Sequence, residues 1–211
     1  MSIIVPAILT NNEIAYHENL LKAEHVCGLV QIDIVDGKFA DSKTVGADVV
    51  SKYLTNANLE IHLMVNYPEN YIDDFVKIDH VSRIILPWEV DGNHQEYLYH
   101  TKNHLKQVGL SISPSTPIAA ILHFLDDIDL LLLLAVEPGF QGQEFKAEVL
   151  KKVKQVKKIA PSLAVEVDGG IRFENAKTIA SSGADFISAG SVLYKAPDFF
   201  VAYEKLAALA K

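Results

Sequence analysis

Leu29-Val30-Gln31-Ile32-Asp33-Ile34-Val35-Asp36-Gly37 sets a pattern that the rest of the chain repeats. It is a β-branched, apolar run that ends in an acidic turn. Strand periodicity sends Gln31, Asp33 and Val35 to one face. A carboxylate in the middle of such a strand is costly to bury unless it is paired, hydrogen-bonded or bound to a metal. Taken alone, Asp33 reads as a half-solvated residue near a strand end. Three further strand candidates finish in the same manner: Ile61 to Met64 with His62, Leu134 to Gly139, and Val165 to Gly170 with Asp168. Strands that all end on polar residues or glycine describe a barrel with chemistry at one rim.

Outward from this stretch, short β-rich runs alternate with longer helical ones. The strand candidates are Ile3–Leu9, Leu29–Val35, Leu59–Met64, Ser82–Pro87, Gly109–Ser113, Leu130–Val136, Ala164–Asp168 and Phe186–Ala189. Helical patterns fill 14–25, 47–55, 68–78, 93–108, 117–125, 147–159, 173–181 and 197–210. Pro68-Glu69, Thr116 before Pro117, and Pro197-Asp198 are helix-start signals; Gly109 and Gly183 read as left-handed residues closing helices. Strict βα alternation predicts parallel strands joined by crossovers. Eight such units across 1–211 predict one (β/α)₈ barrel domain, an α/β fold at its compact end. A doubly wound open sheet would place a glycine-rich turn after the first strand. Here Thr10-Asn11-Asn12 follows instead, and the glycines gather after strands six, seven and eight.

A net charge of −8 argues against nucleic-acid and anionic-membrane partners. An anionic small molecule remains compatible, because backbone amides make local positive sites. Cys27 is the single cysteine, so no intrachain disulfide or zinc-finger spacing exists, and it reads as core filler in a reducing compartment. No signal peptide or membrane-length apolar run is visible, so a cytoplasmic protein is expected.

The chemistry concentrates at the strand ends. Gly139 to Gly142, Gly169-Gly170 and Gly190-Ser191 all follow predicted strands, where glycine lets backbone N–H groups approach an anion. Together they read as a phosphate cradle; singly each is ordinary turn punctuation. Asp33 and Asp168 fall on strands two and seven, across the mouth from each other. Two carboxylates so placed can take a proton from one face of a sugar phosphate and return one to the other. A metal held with His62 on strand three would stabilise the charge that develops between the two transfers. Glu166 shares the inward face one layer deeper and is expected to hydrogen-bond within the barrel. Met64 and Leu134 read as an apolar wall that raises the carboxylate pKa values. The other seven histidines read as structural or solvated.

Pro6 to Thr10, Asp33 to Gly37, His62-Leu63-Met64, Val136 to Gln143, Glu166 to Gly170 and Ala189-Gly190-Ser191 together resemble the ribulose-phosphate 3-epimerase family. That resemblance implies a (β/α)₈ enzyme of sugar-phosphate metabolism with Asp33 and Asp168 as its acid/base pair. It implies a divalent metal (zinc, iron or manganese) on Asp33, His62 and Asp168. It also implies that Gly139, Phe140, Gln141, Gly142, Gly169, Gly170, Gly190 and Ser191 hold the phosphate, with Thr10 and Met64 against the substrate. A homo-oligomer is implied as well. The chain departs from the family's second-strand motif, His-x-Asp-x-Met-Asp-Gly, whose histidine is a metal ligand. Gln31 stands in its place and Val35 replaces the methionine. An amide oxygen from Gln31 would be the fourth ligand, and the metal is then expected to bind weakly or to be lost on purification. The leading function is epimerisation at C3 of D-ribulose 5-phosphate and D-xylulose 5-phosphate. The competing readings are a hexulose-phosphate epimerase and a sugar-phosphate-binding protein without turnover.

Overall fold

The structure, a computed structural model, describes residues 1–138 and 143–211. Eight parallel strands close into a barrel in chain order. They are β1 (Ile3–Ile8), β2 (Leu29–Val35), β3 (Asn58–Met64), β4 (Val81–Pro87), β5 (Gln107–Ile112), β6 (Leu130–Leu134), β7 (Ala164–Asp168) and β8 (Phe186–Ala189). Closure is made by β8 pairing back onto β1, Ile3 opposite Phe186 and Pro6 opposite Ala189. The helices are α1 (Glu13–Glu24), α2 (Ala47–Val50), α3 (Glu69–Phe75), α4 (His94–Asn103), α5 (Val149–Ile159), α6 (Phe173–Ser181), α7 (Ser191–Tyr194) and α8 (Phe199–Leu209). A 3-10 helix, Ile118–Phe124, links β5 to β6. No helix among the described residues is long and apolar enough to cross a membrane.

Each strand is buried on both faces, as parallel strands between a helical ring and a packed lumen must be. Along β3, Leu59, Ile61 and Leu63 join the outer core beneath the helices, while Glu60, His62 and Met64 alternate inward. The five leucines of β6 divide likewise. Leu131 and Leu133 pack under the helices; Leu130, Leu132 and Leu134 form a separate lumen cluster with Ile85. The rest of the lumen is polar: Gln31, Glu60, His62, Glu166 and Ser188 are all at most 1% exposed. At the N-terminal end of the barrel, Arg83 Nη1 donates to Glu60 Oε2 at 2.6 Å, and its Nε and Nη2 donate to Gln107 Oε1. Its guanidinium carbon lies 5.5 Å from the centroid of the Phe186 ring.

Helix ends follow their capping chemistry in places. Asn12 Oδ1 accepts from Ala15 N at 2.9 Å to start α1, and Asp198 Oδ1 accepts from Phe200 N and Val201 N to start α8. Elsewhere the structure corrects the sequence reading. The helical pattern over 93–108 ends at Asn103, Leu105 takes the left-handed turn with φ 59°, and β5 already begins at Gln107. Gly109 is therefore a mid-strand residue and not a helix terminator. A Cβ there would stand 3.1 Å from Ile85 Cγ1 and 3.2 Å from the Leu130 carbonyl, so its absence lets the lumen cluster close. Thr116 does not cap the following helix; its hydroxyl donates to Glu89 Oε1. The 47–55 helix is one turn, α2, and Cys27 is half-buried instead of a core residue.

Candidate active site

Register places the chemistry. Asp33 pairs with His62 across β2 and β3, and Asp168 pairs with Leu134 on one side and Ser188 on the other. Inward alternation then aims all of these side chains at one point near the C-terminal rim. His62 Nδ1 lies 3.3 Å from Asp33 Oδ1 and 3.6 Å from Asp168 Oδ2. Ligand atoms of Asp33, His62 and Asp168 all lie within 4.8 Å of one another. Two carboxylate oxygens and an imidazole nitrogen are a donor set suited to a divalent ion, so the residues present fit a metal. His62 Nε2 is buried without a hydrogen-bond partner among the described residues.

Gln31 lies directly beneath this cluster. Its Nε2 donates to Asp33 Oδ1 at 2.7 Å and to Asp168 Oδ2 at 2.9 Å, while its Oε1 accepts from Ser188 Oγ at 2.7 Å. Two carboxylates can only accept, which fixes the nitrogen as the atom facing them. Ser188 Oγ also contacts Glu166 Oε1. One hydroxyl proton cannot serve both oxygens, so the chain closes when Glu166 carries a proton of its own. Burial, reinforced by the charge of Glu60, holds the Glu166 carboxyl well above the usual range and favours that state.

The cluster is electrostatically strained in the same direction. Burial pushes the Asp33 carboxyl up; the His62 hydrogen bond opposes this, and the charge of Asp168 adds to it. For His62, burial disfavours the imidazolium, yet the Asp168 and Asp33 carboxylates outweigh it and push the pKa up to about 9.

Above the cluster a cleft is lined by Ala7, Leu9, Asp33, Met64, Leu134 and Val136 together with Gly169, Gly170, Ser188, Gly190 and Ser191. Gly169 and Gly170 have φ 101° and 65°, a left-handed pair that only glycine adopts without strain. A Cβ would meet Val136 Cγ2 at 2.4 Å in the first case and the Phe145 backbone at 2.8 Å in the second. Asn175 Nδ2 holds the turn from α6 by donating to the Gly170 carbonyl at 2.9 Å. Met64 and Leu134 supply the apolar wall. Thr10 is not part of that lining, and its Oγ1 accepts from Asn12 N at 3.2 Å. Gly139, Phe140, Gln141 and Gly142 lie outside the described residues. Ser188 and Glu137 were not singled out in the sequence. Ser188 could have been found from inward alternation with Phe186 on β8; Glu137 is a cleft residue whose carboxylate pairs with Lys146.

Comparison with known proteins accords with this geometry. A profile of the Ribulose-phosphate 3 epimerase family matches residues 3–194. The ribulose-phosphate 3-epimerase of Bacillus subtilis is 34% identical over 207 residues, covering 92% of this chain and 93% of that protein. The Escherichia coli enzyme is 30% identical over 205 residues, covering 93% and 91%. Among solved structures, 3-hexulose-6-phosphate synthase from Salmonella typhimurium shares the fold, with a TM-score of 0.73 at 15% identity over 100% of this chain and 98% of that one. The chain belongs to the ribulose-phosphate 3-epimerase family.

Proposed function

We propose that this chain interconverts D-ribulose 5-phosphate and D-xylulose 5-phosphate by proton transfer at C3, with Asp33 and Asp168 as the two proton carriers. The observation that carries the reading is the pair of carboxylates brought to one centre from β2 and β7, under a cleft walled by glycine turns. A deprotonated aspartate on one face removes the C3 proton. A protonated aspartate on the opposite face returns one, and the roles exchange in the reverse direction. Asp33, His62 and Asp168 would hold a divalent ion, which polarises the substrate's oxygens and stabilises the negative charge that develops as the proton leaves. Gly169, Gly170, Gly190 and Ser191 bind the phosphate through backbone N–H groups. Met64 and Leu134 exclude water from the reacting carbon. The same reading carries a homo-oligomer, implied by the family resemblance, and a cytoplasmic location, in keeping with the single Cys27 of a reducing compartment.

Solvent-deuterium incorporation tests it. In D₂O with added divalent metal, the protein should place deuterium at C3 of ribulose 5-phosphate and form xylulose 5-phosphate; a chelator should suppress both. No incorporation with any divalent metal sinks the epimerase reading. Full incorporation by the Asp33→Asn and Asp168→Asn variants sinks the two-base mechanism.

A further inference from the structure

The amide of Gln31 engages both of its N–H donors and its oxygen inside the barrel. Its two N–H bonds go to carboxylates on β2 and β7, and its oxygen goes to the hydroxyl of Ser188 on β8. The side chain is 0% exposed, so no water replaces a partner that is lost. Turning the amide over to offer Oε1 to a metal would break two charge-assisted hydrogen bonds. It would also aim an oxygen at Asp33 Oδ1 and Asp168 Oδ2, where nitrogen now stands at 2.7 and 2.9 Å. The Ser188 hydroxyl opposes the same rotation, because it donates to Oε1 from the next strand. Three protein ligands suffice for a catalytic ion.

We propose that Gln31 is a positioning residue and not a metal ligand: anchored by Ser188, its amide ties Asp33 to Asp168 and leaves a metal centre of Asp33, His62 and Asp168. The tie holds two like charges at a set spacing before metal or substrate arrives, which is preorganisation of the reacting groups. It assigns Ser188 a task as well. That residue selects which end of the amide faces the carboxylates, and so decides whether position 31 acts as donor or ligand. The inference rests on the metal-assisted epimerase reading, but its first test requires neither metal nor turnover.

In metal-free, ¹⁵N-labelled protein, the Gln31 side-chain NH₂ group is identified by its disappearance in Gln31→Ala. Both protons should be shifted downfield by their carboxylate partners. In Ser188→Ala the amide loses its anchor, and its exchange with solvent should speed up by about tenfold, the worth of one buried hydrogen bond. Cobalt(II) then reports the metal centre. Gln31→Ala should bind cobalt with a ligand-field spectrum superimposable on that of the wild type, and Gln31→His should shift it by adding an imidazole ligand. An exchange rate unchanged in Ser188→Ala, a shifted spectrum in Gln31→Ala, or no cobalt binding by the wild type at millimolar metal overturns the proposal. If both tests hold while the wild type incorporates no deuterium, the tie stands and the epimerase reading falls.

Discussion

At Gly170 a single methyl group tests the cleft. The residue has φ 65°, and a Cβ would meet the Phe145 backbone at 2.8 Å, an obstacle that cannot rotate away. Gly170→Ala should therefore cost about 1–3 kcal/mol of stability through backbone strain. Retraction of the turn should also weaken inorganic phosphate binding, readable by calorimetry. An unchanged phosphate affinity would remove this turn from the anion site. Asp168 tests the other half of the cleft. Asp168→Asn keeps the size of the side chain but removes a proton carrier, so kcat should fall by about 10²–10⁴-fold. Phosphate affinity in the same variant should change little, because no phosphate donor is lost. A variant that lost both together would make Asp168 a binding residue.

The β2 to α2 connection shows how a strand end becomes a rigid turn. Asp36 Oδ1 accepts from Lys38 N at 2.7 Å and Phe39 N at 2.8 Å, and its Oδ2 accepts from Asn66 N at 3.0 Å, tying the ends of β2 and β3 together. Burial would raise this carboxyl, but those N–H donors hold it below its ordinary value of 3.8. A carboxyl whose folded pKa lies below its unfolded one stabilises the fold above the unfolded value, and that gain is lost as pH falls through the folded value. Asp36→Ala should cost about 2 kcal/mol near neutral pH. The difference in Tm from the wild type should close as the pH is taken below 3.8. A gap that stays constant into acid would show that the charge contributes nothing. Such strand ends were legible because apolar runs bounded by Asp, His or Gly carry both the strand and its exit. The 93–108 region was not, because Gln107 and Val108 continue a helical pattern that Leu105 ends only by its backbone conformation. Alternation along β8 points Ser188 inward, but its partner Gln31 on β2 is brought to it only when β8 closes onto β1.

Across the whole molecule the lumen is divided: Ile85, Leu130, Leu132 and Leu134 fill one side, and a hydrogen-bonded column runs through the other. Arg83 and Glu60 pair at its N-terminal end, and above them Glu166, Ser188 and Gln31 hydrogen-bond in turn up to the two aspartates. The sequence placed Glu166 within it correctly, as a residue that bonds inside the barrel. It gave no sign of Arg83, whose isolated position in β4 resembles any charged strand edge. With side-chain exposures of 8% and 0%, the Arg83–Glu60 pair is a desolvated ion pair, so breaking it and replacing it are different experiments. Arg83→Met leaves Glu60 buried without its cation and should destabilise the barrel by about 3–5 kcal/mol in urea unfolding. Combining Arg83→Met with Glu60→Leu removes both charges together, and most of that loss should be recovered. The double variant should keep metal and phosphate binding, since neither side chain reaches the cleft. If Arg83→Met instead costs no more than the ~0–1 kcal/mol typical of an exposed pair, the closed end of the barrel is wet. The polar column would then end at Glu166, and the carboxylates at the rim would be supported from one layer below and no deeper.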